Sequence, residues 1–322
     1  MSKLAVVFGG SGFVGRHVVR ELAKRGWRVR VAVRRPHLAQ FLRPLGTVGQ
    51  IHLAQANIRY RDSVLHALDG ADAVVNLVGI LAKQGPQTFE AVQTDGARTI
   101  AELASEAGID NIVHVSAIGA DESSASQYAR SKALGEKAMR EAHPQSVIMR
   151  PSVIFGPEDD FFNRFAAMMA LFRSVPLIGG GKTRFQPAYV DDVADAICAA
   201  LENPVHRGKV FELGGPQAAS FKELMTLTAR IIDRRVLMLP LPFPIAGMMG
   251  GMGDLVAMLS FGLVQAPITA DQVRLLKADN VVSDGALGFE ALGIAPDTME
   301  AILPTYLYRF RKYGQFTEVR PL

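Results

Sequence analysis

The stretch VVFGGSGFVGRHVV, residues 6–19, spaces Gly9, Gly12 and Gly15 three residues apart, directly after an apolar run and at the start of an amphipathic pattern. A glycine-rich turn between a strand and a helix allows the backbone to approach a pyrophosphate, whose negative charge then faces the helix amides. A bare glycine triplet also fits an ordinary strand-to-helix turn. Because this one begins a series of strand and helix patterns, it predicts a nucleotide-binding turn.

The rest of the first 150 residues alternates short β-branched runs with longer helical patterns. The runs that follow the glycine turn are RVRVAV (28–33), QIHLAQ (50–55), DAVVNLV (72–78), NIVHVS (111–116) and QSVIMR (145–150). This rhythm predicts an α/β fold, a Rossmann-type doubly wound parallel sheet. The arginines of RVRVAV indicate a strand near the edge of the sheet, or side chains that serve a ligand.

The change of pattern after residue 150 predicts two domains. We expect a nucleotide-binding domain over residues 1–155, with returns to its sheet around 186–215, and a smaller, mostly helical, interleaved domain over 156–322. A chain of 322 residues, 49% of them hydrophobic, is long enough for either one large domain or two.

Composition restricts the function only weakly. A formal net charge of +4 suits an anionic ligand, a membrane surface or an acidic partner without selecting one, and we expect no nucleic-acid or metal site. The single cysteine, Cys198, lies in an amphipathic helical pattern and is expected to be a buried, inert thiol. The apolar run at the N-terminus is too short for a secretory signal, so we expect a cytoplasmic protein.

The second strand run ends in VAVRRP, residues 31–36, where a protein that binds NAD usually places an acidic side chain against the ribose hydroxyls. Arg34 and Arg35 stand there instead. Two guanidinium groups at this position suit a 2′-phosphate and favour NADP over NAD, although a solvated basic turn would have the same sequence.

Tyr128 and Lys132, in SQYARSK, lie four residues apart and therefore share one face of a helix. In an oxidoreductase, such a lysine holds the nicotinamide ribose and lowers the pKa of the tyrosine, whose phenol exchanges a proton with the substrate. Ser116, twelve residues before the tyrosine, is the candidate third member of a catalytic site. The spacing alone also fits an exposed helix face.

Six motifs together resemble the short-chain dehydrogenase/reductase superfamily, in its extended and atypical branches. The motifs are GGSGFVG (9–15), NLVGI (76–80), HVSAIGA (114–120), YARSK (128–132), RPSVIFGP (150–157) and YVDDVA (189–194). The resemblance implies a pyrophosphate held by the glycine turn and a nicotinamide ribose held by Tyr128 and Lys132. The cofactor-binding residues it implies are Gly9, Gly12, Phe13, Val14, Gly15, Arg34, Arg35, Asn57, Ile58, Leu77, Val78, Gly79, Tyr128 and Lys132.

Two departures from the family pattern concern catalysis. Extended members tend to end the fifth strand with two hydroxyl residues, of which the second is catalytic, but here Ser116 is followed by Ala117 and Ile118. Gln93 stands where many members carry an asparagine. If Ser116 matches the first hydroxyl, no side chain is left to orient a substrate carbonyl, so the pattern favours a nucleotide clamp over a complete catalytic site.

The C-terminal half leaves two interpretations open. A sugar-nucleotide enzyme would need polar side chains there, for which Asn163, Arg164, Lys182 and Arg184 are the candidates, although a solvated loop surface fits them equally. The apolar stretch 236–268, rich in glycine and methionine, makes a poor sugar pocket and is interrupted too often for a transmembrane helix. It suits a surface that rests on a membrane or a partner, or else a core helix of the small domain.

With the stretches 263–283 and 289–315, the whole chain resembles the NADPH-binding accessory subunits of respiratory complex I, the alpha subcomplex subunit nine family, in a bacterial form. That resemblance implies NADPH as a structural ligand and docking beside the quinone-reducing arm, at the cytoplasmic face of the inner membrane. The basic end YLYRFRKYG, residues 306–314, fits anchoring at acidic lipid or protein. The alternative is a free NAD(P)-dependent sugar-nucleotide epimerase or dehydratase, or a carbonyl reductase.

Overall fold

The computed structural model describes residues 2–83, 85–259 and 269–316, and the side chains of 254–259 lie outside the description. The end of the apolar stretch, 260–268, therefore also lies outside it. The chain forms two compact units, each assembled from three segments. The first unit comprises Met1–Pro151, Val190–Leu213 and Ser283–Ala295, and the second comprises Ser152–Tyr189, Gly214–Val282 and Pro296–Leu322.

A seven-stranded parallel sheet forms the centre of the first unit, in the order β11-β6-β5-β4-β1-β2-β3. Numbered along the whole chain, its strands are β1 (Leu4–Phe8), β2 (Arg28–Val33), β3 (Ile51–Gln55), β4 (Ala73–Asn76), β5 (Asn111–Val115), β6 (Val147–Pro151) and β11 (Val210–Leu213). The predicted doubly wound fold is confirmed. The strand order reverses between β1 and β4, and ligands of such folds bind outside the carboxyl ends of the strands at this point.

Helices of the first unit cover its sheet and bury an apolar core that includes Phe8, Val74, Ile100 and Ile148. They are α1 (Phe13–Lys24), α2 (Arg61–Leu68), α3 (Asp95–Glu106), α4 (Gln127–Ala142) and α6 (Val190–Glu202), with a π-helical turn at Glu90–Thr94 and 3₁₀ segments at Pro36–Leu45, Pro204–His206 and Phe289–Leu292. Cys198 is buried in α6, where burial raises the pKa of its thiol, as expected of an inert cysteine.

The arginine-rich strand β2 lies second from the edge, between β1 and β3. Arg30 has a structural role, because its Nη1 donates to the main-chain oxygens of Ala67 and Asp69 at 2.8 and 2.6 Å. The prediction of a strand near the sheet edge is therefore confirmed. The side chain of Arg30 is hydrogen-bonded to the backbone at the end of α2.

The second unit consists of helices and paired short strands around its own apolar core. Its strands are β7 (Ile154–Phe155), β8 (Ser174–Ile178), β9 (Arg184–Phe185), β10 (Ala188–Tyr189), β12 (Ala219–Ser220) and β13 (Leu237–Leu241). Its helices are α5 (Phe162–Phe172), α7 (Phe221–Ile231), α8 (Phe243–Leu259), α9 (Ala270–Leu275) and α10 (Met299–Leu307), with 3₁₀ segments at Gly179–Gly181, Tyr308–Phe310 and Gly314–Phe316. Within the described ranges, no helix has both the length and the hydropathy to cross a membrane.

Candidate nucleotide-binding site

The glycine turn joins β1 to α1 in a conformation that requires its glycines. Gly9 has a φ of +80°, and the amide of Gly12 donates to the Gly9 oxygen at 3.0 Å. A Cβ on Gly15 would lie 2.4 Å from that same oxygen, so a side chain there would push the helix away from the turn. Gly12 caps α1 without a side chain, which leaves the first-turn amides of Phe13 and Val14 open to an anion.

Contacts between loops connect this turn to the Tyr128 helix. A Cβ on Gly9 would lie 3.3 Å from Leu77 and Val78, and a Cβ on Gly79 would lie 3.3 Å from Lys132 Nζ. The segment after β4 is thus packed between the glycine turn and α4. The predicted residues 9–15, 77–79 and Lys132 are brought together at the point where the strand order reverses.

Arg34 follows β2 and lines a cavity of about 440 Å³ together with Asn57 and residues of α2. Arg35 precedes the 3₁₀ segment, and its oxygen accepts from Leu38 N at 3.1 Å. Both arginines are exposed. Of the two, Arg34 is therefore the side chain placed beside a ligand-sized space.

The two residues predicted after β3 are held differently. Asn57 Oδ1 accepts from the amide of Arg59 at 3.2 Å, which shapes the turn into α2. Ile58 is buried in the apolar core, where a Cβ on Gly96 would lie 2.5 Å from its side chain. Ile58 could therefore contact a nucleotide only through its backbone.

The carboxyl end of β5 carries one hydroxyl. Ser116 is 4% exposed, and its Oγ has no hydrogen-bond partner among the residues that the structure describes. Its amide donates to Met149 O at 2.7 Å, and Ile118 N donates to Pro151 O at 3.0 Å. A buried hydroxyl without a partner costs free energy unless a ligand or water satisfies it, so Ser116 fits a bound group at this strand end.

Tyr128 and Lys132 lie one turn apart on α4. Lys132 is buried and its Nζ donates to Val115 O at 3.1 Å. Burial lowers the pKa of Lys132 to about 8 and raises the pKa of Tyr128 to about 12, so at pH 7 both groups are protonated. Phe89 packs edge-on against the Tyr128 ring, with centroids 6.2 Å apart.

Gln93 occupies the asparagine position within the π-helical turn before α3. Its Nε2 donates to Ile80 O at 2.8 Å, and its Oε1 accepts from the Ser131 hydroxyl. A Cβ on Gly135 would lie 2.3 Å from the Gln93 oxygen, so α4 packs directly on this turn. Gln93 thus fixes the loop after β4 against α4.

Sequence reasoning missed two arrangements near the site. Arg16, directly after Gly15, places its guanidinium 4.9 Å from the centre of the Phe41 ring, at the 3₁₀ segment that follows Arg35. Arg150 on β6 forms a two-pronged hydrogen bond with buried Glu136 on α4. The first has a sequence signal, a cation beside the glycine turn, whereas the second joins residues whose proximity depends on the fold.

In the second unit, the polar candidates for a sugar nucleotide do not share one role. Asn163 Nδ2 donates to Pro157 O and Asp159 O at 3.1 and 2.9 Å, and its Oδ1 accepts from Arg309. Asn163 therefore organises the start of α5. Three other candidates, Arg164, Lys182 and Arg184, are exposed.

The second unit carries exposed apolar side chains and cations, and we call these residues together the apolar–basic surface. Its apolar members are exposed large side chains of α5, β13 and α8, namely Leu171, Phe172, Leu237, Leu239, Ile245, Met248, Met249 and Met252. Its basic members are Arg173, Arg235, Arg309, Arg311 and Lys312.

Two hydrogen bonds join parts of these segments. Leu237 N donates to Arg173 O at 2.9 Å, which joins β13 to the end of α5. Arg311 Nε donates to Ile231 O at 2.8 Å, which brings the basic C-terminal segment to the residues just before β13. The two stretches that the sequence suggested separately, from residue 236 and from 306, therefore meet in one unit.

Comparison with known proteins identifies the family. The NAD dependent epimerase/dehydratase family matches residues 5–214. The chain is 37% identical over 316 residues to the mitochondrial NADH dehydrogenase [ubiquinone] 1 alpha subcomplex subunit 9 of Arabidopsis thaliana, covering 97% of this chain and 79% of that one. The chain belongs to the NAD dependent epimerase/dehydratase family, among the subunit 9 proteins. Its Rossmann fold and glycine turn are those of an NAD(P)-binding family.

Two further likenesses bear on the fold and the alternatives. A ceramide reductase of Caulobacter vibrioides is 34% identical over 202 residues, 63% of this chain and 62% of that one. An NADPH-dependent quinone oxidoreductase from Escherichia coli, solved with NADPH, superposes with a TM-score of 0.74 at 20% identity over 94% of this chain and 99% of that one. At this identity, the second likeness supports the fold alone.

Proposed function

We propose that the protein holds NADPH as a resident ligand and acts as an accessory or assembly subunit of respiratory complex I, with little or no turnover. The proposal rests on the contrast between a well-formed nucleotide cradle and a strand end that lacks a second hydroxyl residue. The glycine turn, residues 77–79 and Lys132 form a continuous nucleotide cradle, whereas the strand end beside them has Ala117 where a catalytic hydroxyl would stand.

Each part of the cradle has a role in this proposal. Amides of Phe13 and Val14, with the turn of Gly9, Gly12 and Gly15, bind the pyrophosphate, and Asn57, Ile58 and 77–79 line the rest of the nucleotide site. Lys132 and Tyr128 bind the nicotinamide ribose, close to the unpartnered Ser116 hydroxyl. NADPH supplies a transferable hydride when bound, but Ala117 offers no group to orient a carbonyl toward it.

Preference for NADPH over NADH rests on Arg34, with Arg35 beside it. An exposed guanidinium beside a cavity binds a 2′-phosphate through charge-assisted hydrogen bonds, which NADH does not offer. An NAD-binding site would instead need a carboxylate at this position.

The apolar–basic surface supports a peripheral position on a membrane. Its exposed methionines and leucines can enter the interface between headgroups and acyl chains, while the arginines and Lys312 meet anionic headgroups. We infer that the protein docks beside the quinone-reducing arm of complex I at the cytoplasmic face of the inner membrane. The sequence likeness to complex I subunits supports this partner.

A second candidate function is an NADPH-dependent carbonyl reductase or a related epimerase. The likeness to a ceramide reductase favours it, as do Tyr128 and Lys132, which are the residues that such chemistry requires. In that case Ser116 would have to orient the substrate carbonyl. The two candidates differ in whether the phenol of Tyr128 is needed.

The proposal is tested by native electrophoresis of gently solubilised membranes from the host. The protein should migrate in the band that stains for NADH dehydrogenase activity, and it should bind there in a fixed ratio to the core subunits. Migration only as a free monomer, with the full NADH dehydrogenase band present in a deletion strain, would overturn the accessory-subunit proposal and favour the reductase.

A further inference from the structure

Four charged side chains of alternating sign extend from the nucleotide site across the sheet of the first unit. Lys132 and Glu136 lie one turn apart on α4, Arg150 lies on β6, and Glu212 lies opposite Arg150 on β11. Arg150 Nε and Nη2 donate to the two carboxylate oxygens of Glu136 at 2.9 and 2.7 Å. Arg150 Nη1 lies 3.5 Å from Glu212 Oε1, and Ser283 N donates to the other oxygen of Glu212 at 2.8 Å.

Burial makes these charges interdependent. Lys132, Glu136 and Glu212 are 6%, 5% and 7% exposed. A charge this far from water is unfavourable unless an opposite charge or hydrogen bonds compensate for it. The fork of Arg150 also leaves the Glu136 carboxylate little freedom to turn toward solvent.

The groups that face Lys132 define what Glu136 can do. His114 on β5 stays neutral, because burial and the charge of Lys132 lower its pKa to about 3, and its Nδ1 lies 3.0 Å from the amide nitrogen of Asn76. Tyr128 remains a neutral phenol at pH 7, since burial raises its pKa to about 12. Burial lowers the pKa of Lys132, and the carboxylate of Glu136 opposes that effect.

Glu136 is not one of the residues assigned to the nucleotide cradle. Together with Arg150 it lines a cavity of about 670 Å³ whose rim carries Lys137, Arg140 and Glu141. Glu136 therefore lies beside this cavity and one helical turn from Lys132. A role in NADPH binding must pass through Lys132.

We propose that Glu136, held by the fork of Arg150, is a positioning residue that keeps Lys132 as an ammonium ion directed at the nicotinamide ribose. The inference rests on the proposed NADPH site. It predicts that NADPH affinity depends on the charge of Lys132, and that the pH at which affinity declines is set by Glu136. Lys132 is charged at low pH, so affinity is highest there and falls as the pH rises through its pKa.

The test is a titration of NADPH binding between pH 6.5 and 9.5, followed by nucleotide fluorescence, for the wild type and Glu136→Gln. The wild type should lose affinity above about pH 8, the pKa of Lys132. Loss of an opposite charge one helical turn away shifts a pKa by roughly one unit, so the Glu136→Gln midpoint should move about one unit lower. Affinity at pH 6.5 should remain within about threefold, because Lys132 is still mostly protonated at that pH in both proteins.

Three further variants give the test its controls. Glu141→Gln, on the rim of the same cavity, should leave the midpoint unchanged, and Lys132→Met should remove the pH dependence. Because Glu136→Gln leaves Arg150 with a weakened set of partners and could unfold the chain, Glu136→Gln with Arg150→Gln removes both charges of the fork and should show the same lower midpoint.

The outcomes separate the two proposals. A wild type that binds no NADPH at any pH would contradict the proposed function and this inference with it. A wild type that binds NADPH while the Glu136 variants keep its midpoint, or lose affinity equally at every pH, would overturn the positioning role alone and leave Glu136 a structural residue.

Discussion

Lys132 Nζ donates a hydrogen bond to the main-chain oxygen of Val115 at 3.1 Å, which ties α4, the helix of Tyr128 and Lys132, to the strand end that carries Ser116 and Ala117. The protein itself therefore holds the ammonium group in place. At this strand end, Ser116 contributes a hydroxyl group, whereas the side chain of Ala117 cannot form a hydrogen bond. This combination of a lysine held by the protein and a single hydroxyl supports the proposal that the site holds a nucleotide without turning over a substrate.

Replacement of Arg34 by alanine should reduce selectivity for NADPH. One charge-assisted contact to a phosphate contributes about 1.5 to 3 kcal/mol, so NADPH affinity should fall by about 10- to 150-fold while NADH affinity stays unchanged. Calorimetry with both nucleotides measures this. Arg35→Ala is the matched variant, and we expect a smaller loss because Arg34 is the one that lines the cavity. Equal affinities of the wild type for NADPH and NADH would refute the assignment.

The glycine turn offers a steric test. Gly15→Ala should abolish measurable nucleotide binding, because the new Cβ would lie 2.4 Å from the Gly9 oxygen and force the turn and α1 apart. Gly251→Ala is the control, since it also adds a methyl group to a helix but meets nothing within 4 Å. Thermal unfolding of both variants shows whether the chain stays folded. If Gly15→Ala binds NADPH normally, the pyrophosphate does not lie at this turn.

Much of the fold could be predicted from the sequence because its signals are local. The glycine spacing, the strand runs and the i, i+4 pair of Tyr128 and Lys132 each lie within a few residues, and strand order then follows from the doubly wound pattern. The partnership of Glu136 with Arg150 was not predictable in this way. It depends on the packing of α4 beside β6, which brings together side chains that follow no short-range pattern.

The apolar–basic surface shows the same limit more clearly. Its apolar stretch from residue 236 and its basic end from 306 were apparent in the sequence, but Leu171 and Phe172 were not. A helical pattern alone would place such residues in a core. Both are exposed at the end of α5, where the left-handed conformation of Arg173 leads the chain into β8 beside β13.

Charges placed on this surface should release the protein from membranes. Met248 and Met252 lie one turn apart on α8 and are 70% and 67% exposed, so glutamate at both positions should repel anionic headgroups without disturbing the core. Sedimentation with vesicles that contain anionic lipid should show at least a severalfold loss of binding. Apolar area that is buried in the membrane contributes about 25 cal/mol per Å², and the two glutamates would remove the contribution of both methionines. Leu65→Glu, exposed on the first unit, is the control.

This surface prediction has a clear contrary result. If the wild type does not sediment with anionic vesicles, or if the double variant sediments as well as the wild type, the membrane contact is wrong. NADPH binding should be retained in the double variant, since the cradle residues all belong to the first unit.

Acid should weaken the link between α1 and α6. Although burial alone would raise the pKa of Asp191, the hydrogen bond from His17, 2.5 Å long, and the charge of Arg20 hold that pKa well below its usual range. A carboxylate whose pKa is lowered by folding stabilises the protein above its unfolded pKa, near 3.9, and loses this contribution as the pH falls below it.

Asp191→Asn should therefore lower the melting temperature at pH 7 by about 2 to 4 °C, equivalent to about 1 kcal/mol after allowance for solvent screening. The difference from the wild type should shrink below pH 4. Asp110→Asn, an exposed carboxylate, should have little effect at either pH. A constant difference from pH 7 down to pH 3 would show that the charge of Asp191 does not contribute.

The claim that the site holds NADPH without using it is tested most directly by Tyr128→Phe in a deletion strain, with assembled complex I measured by its NADH dehydrogenase activity. A phenol that acts as a general acid contributes about 10²- to 10⁴-fold in rate, so its loss would be unmistakable if catalysis mattered. We predict that Tyr128→Phe restores complex I fully, whereas Gly15→Ala, which cannot hold the nucleotide, does not. Failure of Tyr128→Phe to restore function, in a protein that folds and still binds NADPH, would contradict the account and establish the site as catalytic.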